Sequence, residues 1–208
     1  MRIDLFQDLY AKYSNLQLSH KEDRPIAIRG LEKRLKTTFG TKAGFGIFET
    51  YIHRCLMWQR ADTPLIRIEK FRGARVPSWS WMAYHGGINY MEIPGGKVDW
   101  VEDIVSPFAN NSDSELLTEL RAPIHEIIDS KHADLILDED DRVIKQPLKC
   151  IIVGRSKASQ PPDQSFLYVL LVVEIPGKLP RVYERVGVAR LKRGQTASKG
   201  LGSVVSVQ

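Results

Sequence analysis

The sequence predicts an α+β fold in which an N-terminal three-helix unit packs on a C-terminal antiparallel β-sheet or small barrel. Apolar residues recur at helical spacing up to about residue 62, and short alternating runs separated by glycine and proline follow. With 208 residues and 43% hydrophobic content, the chain can bury a substantial core. We therefore expect a helical segment (1–62), an antiparallel β-domain (63–193) and a flexible tail (194–208), together forming one compact unit.

Three helices are predicted in the first segment. Residues 3–14 place apolar side chains at helical spacing. Residues 23–39 follow, with Asp23 as the N-cap and Gly40 immediately after the helix. The third helix is predicted over 45–58, because a broad apolar stripe continues through that stretch.

The second segment predicts strands at 66–69, 78–83, 87–93, 97–101, 124–128, 133–137, 148–153, 166–175 and 181–191. At least four of them should form one sheet or small barrel. The longest apolar run, over 166–173, is far shorter than the roughly 20 residues that a membrane-spanning helix needs. We therefore predict that this run is a buried strand.

Charge is unevenly distributed along the chain. Residues 1–75 carry 15 Lys/Arg against 8 Asp/Glu, residues 76–150 carry 6 against 14, and residues 151–208 carry 9 against 3. The pattern favours oppositely charged segments that face each other within one fold over nucleic-acid binding, because no basic run is interleaved with aromatic residues. Binding of an anionic partner by the basic flanks stays open as a weaker alternative.

The two cysteines and the start of the chain bear on the cellular compartment. Cys55 and Cys150 lie in unrelated segments without metal-ligand spacing, which predicts two reduced, buried thiols. The first residues have neither the apolar stretch of a secretory signal nor the composition of a transit peptide. We expect a cytoplasmic protein that does not enter the membrane.

The titratable residues predict no particular reaction. None of the five histidines pairs with another His or Cys at metal-ligand spacing, so neither a metal nor a cofactor is predicted. His85, which precedes two glycines, and His125 could line a small-molecule-binding or hydrolytic pocket. No serine lies in a nucleophile elbow, and the sequence favours a non-catalytic protein while leaving enzymatic activity open.

The most specific motif is the run Pro77-Ser78-Trp79-Ser80-Trp81. Two tryptophans two residues apart share one face of an extended strand, and such a pair is expected to anchor a sheet against helices. Stacking of the pair on a ligand or base is the alternative. Trp58 is the expected packing partner of the pair.

Other short motifs accompany this run: Tyr13-Ser14, Leu18, Asp23-Arg24, Ala27, Gly30-Leu31, Gly46-Ile47-Phe48-Glu49, Leu56-Met57-Trp58 and Tyr183-Glu184-Arg185-Val186-Gly187-Val188. With the tryptophan run, they resemble the region that follows the heterokaryon-incompatibility (HET) domain in proteins of filamentous fungi. Phe48 stands where that family usually has tryptophan. Nothing in the chain resembles the motifs of the HET domain itself.

The resemblance implies a part in non-self recognition between genetically different hyphae, in which the HET domain is the part that triggers programmed cell death. It implies a non-catalytic accessory or interaction module, such as a truncated paralogue. The implied partner is a protein, either another incompatibility factor or the missing HET domain. We expect the signature residues to be structural, with Asp23 capping a helix, Pro77 positioning the tryptophan strand, and Arg24 or Arg185 pairing with acids of the middle segment.

Overall fold

The computed structural model describes residues 2–16, 24–68, 76–108, 119–129, 133–139, 144, 146–158, 165–197 and 203–208, and it confirms an α+β fold. The described α-helices are α1 (Arg2–Ser14), α2 (Arg24–Phe39) and α3 (Ile52–Leu56). The end of α2 agrees with the prediction, because Gly40 has φ 64° and its N–H donates to the carbonyl of Lys36. Leu18 and Asp23, the expected N-cap, lie outside the described residues.

The described strands are β1 (Ala43–Gly44), β2 (Ile47–Phe48), β3 (Trp58–Arg60), β4 (Ile66–Arg67), β5 (Tyr84–His85), β6 (Ile88–Tyr90), β7 (Val98–Trp100), β8 (Leu120–Pro123), β9 (His125–Glu126), β10 (Asp134–Leu137), β11 (Lys149–Ser156), β12 (Phe166–Glu174), β13 (Val182–Lys192) and β14 (Val204–Val207). The main sheet has the order β7-β11-β12-β13-β14-β8, with β10 joined to β13 and β9 joined to β11. The pairs β1-β2, β3-β6 and β4-β5 form small two-stranded sheets.

The predicted helix over 45–58 is wrong at both ends, and only its middle is helical, as a 3₁₀ turn over Glu49–Tyr51 that leads into α3. Strands β1 and β2 form a hairpin at its start, helix α3 covers only five residues, and β3 begins at Trp58. The physical reason is the two-residue turn between β1 and β2, where Phe45 and Gly46 have φ values of 54° and 76°. Both angles fit a tight hairpin turn and neither fits a helix.

The main sheet departs from the predicted antiparallel arrangement. Strand β12 is antiparallel to β11 and β13, but β14 runs parallel to β13, so the sheet is mixed. The path of paired strands is open at β7 and β8, which corrects the small-barrel alternative. The segment over 120–126 is shared between two neighbours, since β8 pairs with β14 and β9 pairs with β11.

The expectation of a flexible tail is wrong for residues 203–208. Strand β14 lies between β13 and β8, and the side chains of Val205 and Val207 are buried there. The composition of the tail, rich in glycine and serine, concealed a short strand with alternating valines. Residues 198–202 lie outside the described part of the chain.

One buried apolar cluster extends from the helices to the main sheet. Near α1 it is aromatic: the ring centre of Phe48 lies 5.3 Å from that of Phe6 and 6.0 Å from that of Tyr10. In the sheet, the apolar run predicted to be a buried strand forms β12, which is buried from Leu167 to Val173. Among the described residues, no helix has both the length and the apolar character needed to cross a membrane.

Candidate functional site

The tryptophan run forms a turn and not a strand, so the strand predicted over 78–83 is wrong. The carbonyl of Pro77 accepts the N–H of Ser80 at 3.0 Å, and a single 3₁₀ turn follows over Trp81–Ala83. Ser80 caps that turn, because its Oγ accepts the N–H of Met82 at 3.1 Å and donates to the carbonyl of Phe45 at 2.6 Å. The serine hydroxyl therefore favours a local turn where the alternation of tryptophans predicted a strand.

The two tryptophans pack against different parts of the core. The ring of Trp79 meets the ring of Phe45 edge-on at 6.0 Å, whereas the ring of Trp81 lies 5.1 Å from that of Tyr10. Trp58 is a partner of this run as predicted, since its Nε1 donates to the carbonyl of Trp79 at 2.9 Å. All three tryptophans are fully buried, so they join the sheet region to the helices.

Arg185 of β13 is fully buried and forms an ion pair with Asp138, an acid of the middle segment, as predicted. Its Nε and Nη2 donate to the two carboxylate oxygens at 3.1 Å each. Its Nη1 donates to the carbonyl of Leu56 at 2.8 Å, and Nη2 also donates to the carbonyl of Trp58 at 2.5 Å. The guanidinium carbon lies 3.2 Å from the centre of the Trp58 ring. These contacts satisfy a charge that would be costly to bury alone.

A bulge in β13 sets the position of Arg185. Val172 of β12 pairs with Arg185 and the preceding Leu171 pairs with Gly187, which leaves Val186 as the extra residue. Such a bulge changes the direction of the neighbouring side chains. At Gly187 an added Cβ would overlap the backbone of Ile136, so glycine there lets β10 approach β13 closely. Asp138 follows β10, and this approach brings its carboxylate to Arg185.

Ser78 links Arg185 to the end of the chain. Strands β10 and β14 pair with separate stretches of β13, at Gly187–Arg190 and at Val182–Tyr183. Between them, Ser78 Oγ accepts the N–H of Arg185 at 2.9 Å and donates to the main-chain oxygen of Gln208. The N–H of Gln208 in turn donates to the carbonyl of Tyr183 at 3.0 Å. The structure thus brings Ser78, Tyr183 and Arg185 together although about 105 residues separate the first two in sequence.

The Tyr13-Ser14 motif attaches α1 to β6. Ser14 Oγ accepts the N–H of Ile88 at 2.8 Å and donates to the carbonyl of Ala11 at 2.7 Å. The ring of Tyr13 meets that of Trp81 edge-on at 6.2 Å. The last turn of the helix is therefore fixed both to a strand and to the tryptophan run.

Gly46 is positioned by a carboxylate from α2. Its N–H donates to Oε2 of Glu32 at 2.6 Å, and an added Cβ would overlap the indole of Trp81. Burial raises the pKa of Glu32, whereas the hydrogen bond from Gly46 acts in the opposite direction. Glycine is thus required here both for its positive φ and for the close approach of the indole.

The structure shows no structural role for two signature residues of α2, Gly30 and Arg24. Gly30 is exposed, and an added Cβ would meet no atom within 4 Å. The backbone of Arg24 lies in α2, but its side chain is outside the described part, so its predicted ion pair stays a prediction.

We expect Gly30→Ala to raise the free energy of unfolding by about 0.5–1 kcal/mol. Alanine lowers the conformational entropy of the unfolded chain, and its Cβ would contact no neighbouring atom in the folded protein. Urea unfolding measures the change. Gly187→Ala is the matched control and should destabilise the protein, since its added Cβ overlaps β10. A loss of stability in Gly30→Ala would show that Gly30 has a structural role in the fold.

The two histidines of the alternative pocket lie in different sheets. His85 belongs to β5 and pairs with Ile66, whereas His125 belongs to β9 and pairs with Cys150. Burial lowers the pKa of His125, and the nearby Arg155 lowers it further. A shared pocket for these histidines stays a prediction. The described residues contain no group of three or more His, Cys, Asp or Glu that could hold a metal ion.

The cysteines are free and buried, as predicted. Burial raises the pKa of both the Cys55 and the Cys150 thiol to about 12. A thiol with such a pKa carries almost no thiolate at neutral pH, and the thiolate is the nucleophilic form. Neither cysteine is therefore prepared for nucleophilic attack.

Sequence reasoning missed the contact between α3 and β7. The imidazole of His53 stacks on the indole of Trp100, with ring centres 5.5 Å apart, and its Nε2 lies 2.7 Å from the carbonyl of Val101. Arg54 covers the same indole, with its guanidinium carbon 4.9 Å from the ring centre. This contact could not be predicted, because His53 and Arg54 are far from Trp100 in sequence and form no recognisable motif with it.

We expect His53 to make the protein less stable in mild acid. Burial lowers the pKa of His53, so the unfolded chain takes up a proton more readily than the folded one. This contribution to stability is complete above the unfolded pKa of about 6.5 and is lost as the pH falls below it. His53→Gln keeps an N–H donor for Val101 but does not titrate, so its free energy of unfolding should fall less between pH 7 and pH 5.

His125→Gln is the comparison variant: the pKa of His125 is also lowered, so its removal should likewise reduce the loss of stability in acid, and the double variant should lose less than either single one. Urea unfolding at several pH values gives the slope for each variant. If His53→Gln and the unmodified protein lose equal stability between pH 7 and pH 5, His53 does not contribute to the acid dependence.

No protein-family model, curated protein or solved structure matches the chain. The relation to the region downstream of the HET domain therefore rests on the motifs quoted above and stays a prediction.

Proposed function

We propose that the chain is a non-catalytic accessory module of fungal non-self recognition, corresponding to the region downstream of the HET domain. One observation carries the proposal: signature residues from distant segments meet in a buried hydrogen-bonded network around Arg185. The tryptophan run supplies Ser78 and the carbonyl of Trp79, and Trp58 joins that carbonyl to the guanidinium. Signature residues that together hold the fold are expected in a module that serves as a binding scaffold.

The electrostatics of the described core also favour a scaffold over an enzyme. Burial raises the pKa of Tyr10, Tyr84 and Tyr90, so these phenols stay neutral at physiological pH. Both cysteine thiols stay protonated for the same reason. Catalytic acids, bases and nucleophiles have pKa values adjusted toward their working pH, and burial moves these groups away from it.

A protein partner fits this role better than the other classes considered. The buried network joins the tryptophan turn to the main sheet, and Ser14 separately fixes α1 to β6, so these elements form a rigid support for the outer surface. A fixed surface lowers the entropy cost of association. The partner implied by the motifs is a HET domain, carried by the same polypeptide or by another incompatibility factor.

The proposal is tested by titrating the purified full chain with a HET domain from a filamentous-fungal incompatibility protein, using calorimetry. We expect saturable binding, and co-expression of the two in hyphae should change the extent of HET-induced cell death. Gly30→Ala, which is expected to keep the fold, is the control variant and should bind and act as the unmodified chain does. Absence of binding together with unchanged cell death would contradict the proposal.

A further inference from the structure

The last strand of the described chain occupies an interior place in the main sheet. Strand β14 lies between β13 and β8, so both of its edges are paired. Its pairing with β8 is antiparallel and extends over four residue pairs, from Val204 with Pro123 to Val207 with Leu120. Its pairing with β13 is parallel and extends over two pairs only. A segment of this kind fills a slot that is bounded by a strand on each side.

The side chains of β14 alternate as the slot requires. Val205 and Val207 are buried, whereas Val204 is 56% exposed. Ser206 fits less well, because its Oγ is buried and has no hydrogen-bond partner among the described residues. A buried hydroxyl without a partner weakens the hold of the segment on the slot. The native strand is therefore not the best occupant that the slot could take.

Occupation of the slot is coupled to the buried network. Gln208, which follows β14, accepts a hydrogen bond from Ser78 Oγ and donates one to Tyr183. Ser78 Oγ also accepts the N–H of Arg185. Departure of β14 would remove one partner of Ser78 and would expose the free edges of β8 and of Val182–Tyr183 in β13.

We propose that β14 is a displaceable strand and that the slot between β13 and β8 accepts an extended segment of a partner protein. The segment recognised would be neutral, with β-branched apolar residues at the positions of Val205 and Val207, and an apolar residue at the position of Ser206. Backbone hydrogen bonds to two strands would supply affinity, and the two buried positions would supply selectivity. The native segment resists exchange because its attachment to the chain gives it a high effective concentration. The inference does not depend on the proposed role in non-self recognition.

The test uses the full chain and a fluorescent peptide with the sequence of residues 200–208. Val207→Asp in the chain places a charge in the slot and should release β14. We expect the peptide to bind this variant at least about tenfold more tightly than the unmodified chain, because the competing native strand is weakened. A Ser206→Val peptide should bind severalfold more tightly than the native peptide, and a peptide with aspartate at the positions of Val205 and Val207 should not bind.

A second measurement covers the case in which Val207→Asp does not fold. In the unmodified chain, hydrogen exchange should show that the amides of Val205 and Val207 open more often than that of Leu170 in β12. Equal protection at the three amides would mean that β14 opens only when the whole protein unfolds, and this would overturn the proposal. Equal peptide affinities for a folded Val207→Asp chain and the unmodified chain would overturn it as well.

Discussion

Replacement of Arg185 by methionine is expected to lower the free energy of unfolding by about 3–5 kcal/mol. The variant leaves the carboxylate of Asp138 buried without its cation, and it removes the donor from the carbonyl oxygens of Leu56 and Trp58. Domains of this size are stable by roughly 5–15 kcal/mol, so the loss is a large fraction of the total. Urea unfolding followed by tryptophan fluorescence measures it.

Two further variants show whether the loss comes from the buried charge. Adding Asp138→Leu to Arg185→Met removes the remaining charge, so the double variant should be more stable than the single one. Arg190→Met is the surface control, because the Arg190 side chain and its partner Asp134 are both exposed, and it should cost less than about 1 kcal/mol. If Arg185→Met costs no more than Arg190→Met, the buried ion pair does not support the fold.

Replacement of Trp79 by alanine is also expected to cost about 3–5 kcal/mol. The indole is fully buried and meets the ring of Phe45 edge-on, at the turn with positive φ that closes the β1-β2 hairpin. Its removal opens a cavity between that turn and the tryptophan run. Thermal and urea unfolding measure the loss.

Trp100→Ala is the matched control for Trp79→Ala, because Trp100 is only partly buried and rests on Gly154 and the side chains of His53 and Arg54. Its removal should cost less than the removal of Trp79. An unchanged melting transition in Trp79→Ala would show that the tryptophan run does not anchor the fold.

Local patterns in the sequence predicted the first two helices and most strands of the main sheet. Helix α1 and helix α2 each carry an apolar face at helical spacing, and Gly40 ends the second of them. Strands were also predicted over 148–153, 166–175 and 181–191, where β11, β12 and β13 lie, and the apolar run over 166–173 was predicted to be buried. In these segments, local propensity and burial in the fold favour the same structure.

The start of the third helix was predicted wrongly because distant residues decide the conformation of Phe45 and Gly46. Phe45 adopts a positive φ that non-glycine residues rarely adopt, and Ser80 and Trp79 from the tryptophan run hold it there. Glu32 of α2 holds the following residue, Gly46. These contacts could not be predicted from residues 45–58 alone. The apolar stripe of this segment predicted only that it is buried.

The candidate site was predicted in part for similar reasons. Either Arg24 or Arg185 was predicted to pair with an acid of the middle segment, and Arg185 does so with Asp138. The partners of Ser78 could not be predicted, because its Oγ lies in a place created by the spacing of β10 and β14 along β13. The bulge at Val186 likewise depends on the register between β12 and β13.

The exchange rate of the Arg185 Nε–H with solvent, measured by NMR, tests most directly whether the signature residues form a buried structural network. The signal is assigned by its disappearance in Arg185→Lys. We predict much slower exchange than for the exposed Arg190, and faster exchange in Asp138→Asn, which weakens the acceptor of the Nε–H. Exchange as fast as that of Arg190 in the unmodified protein would contradict the buried network.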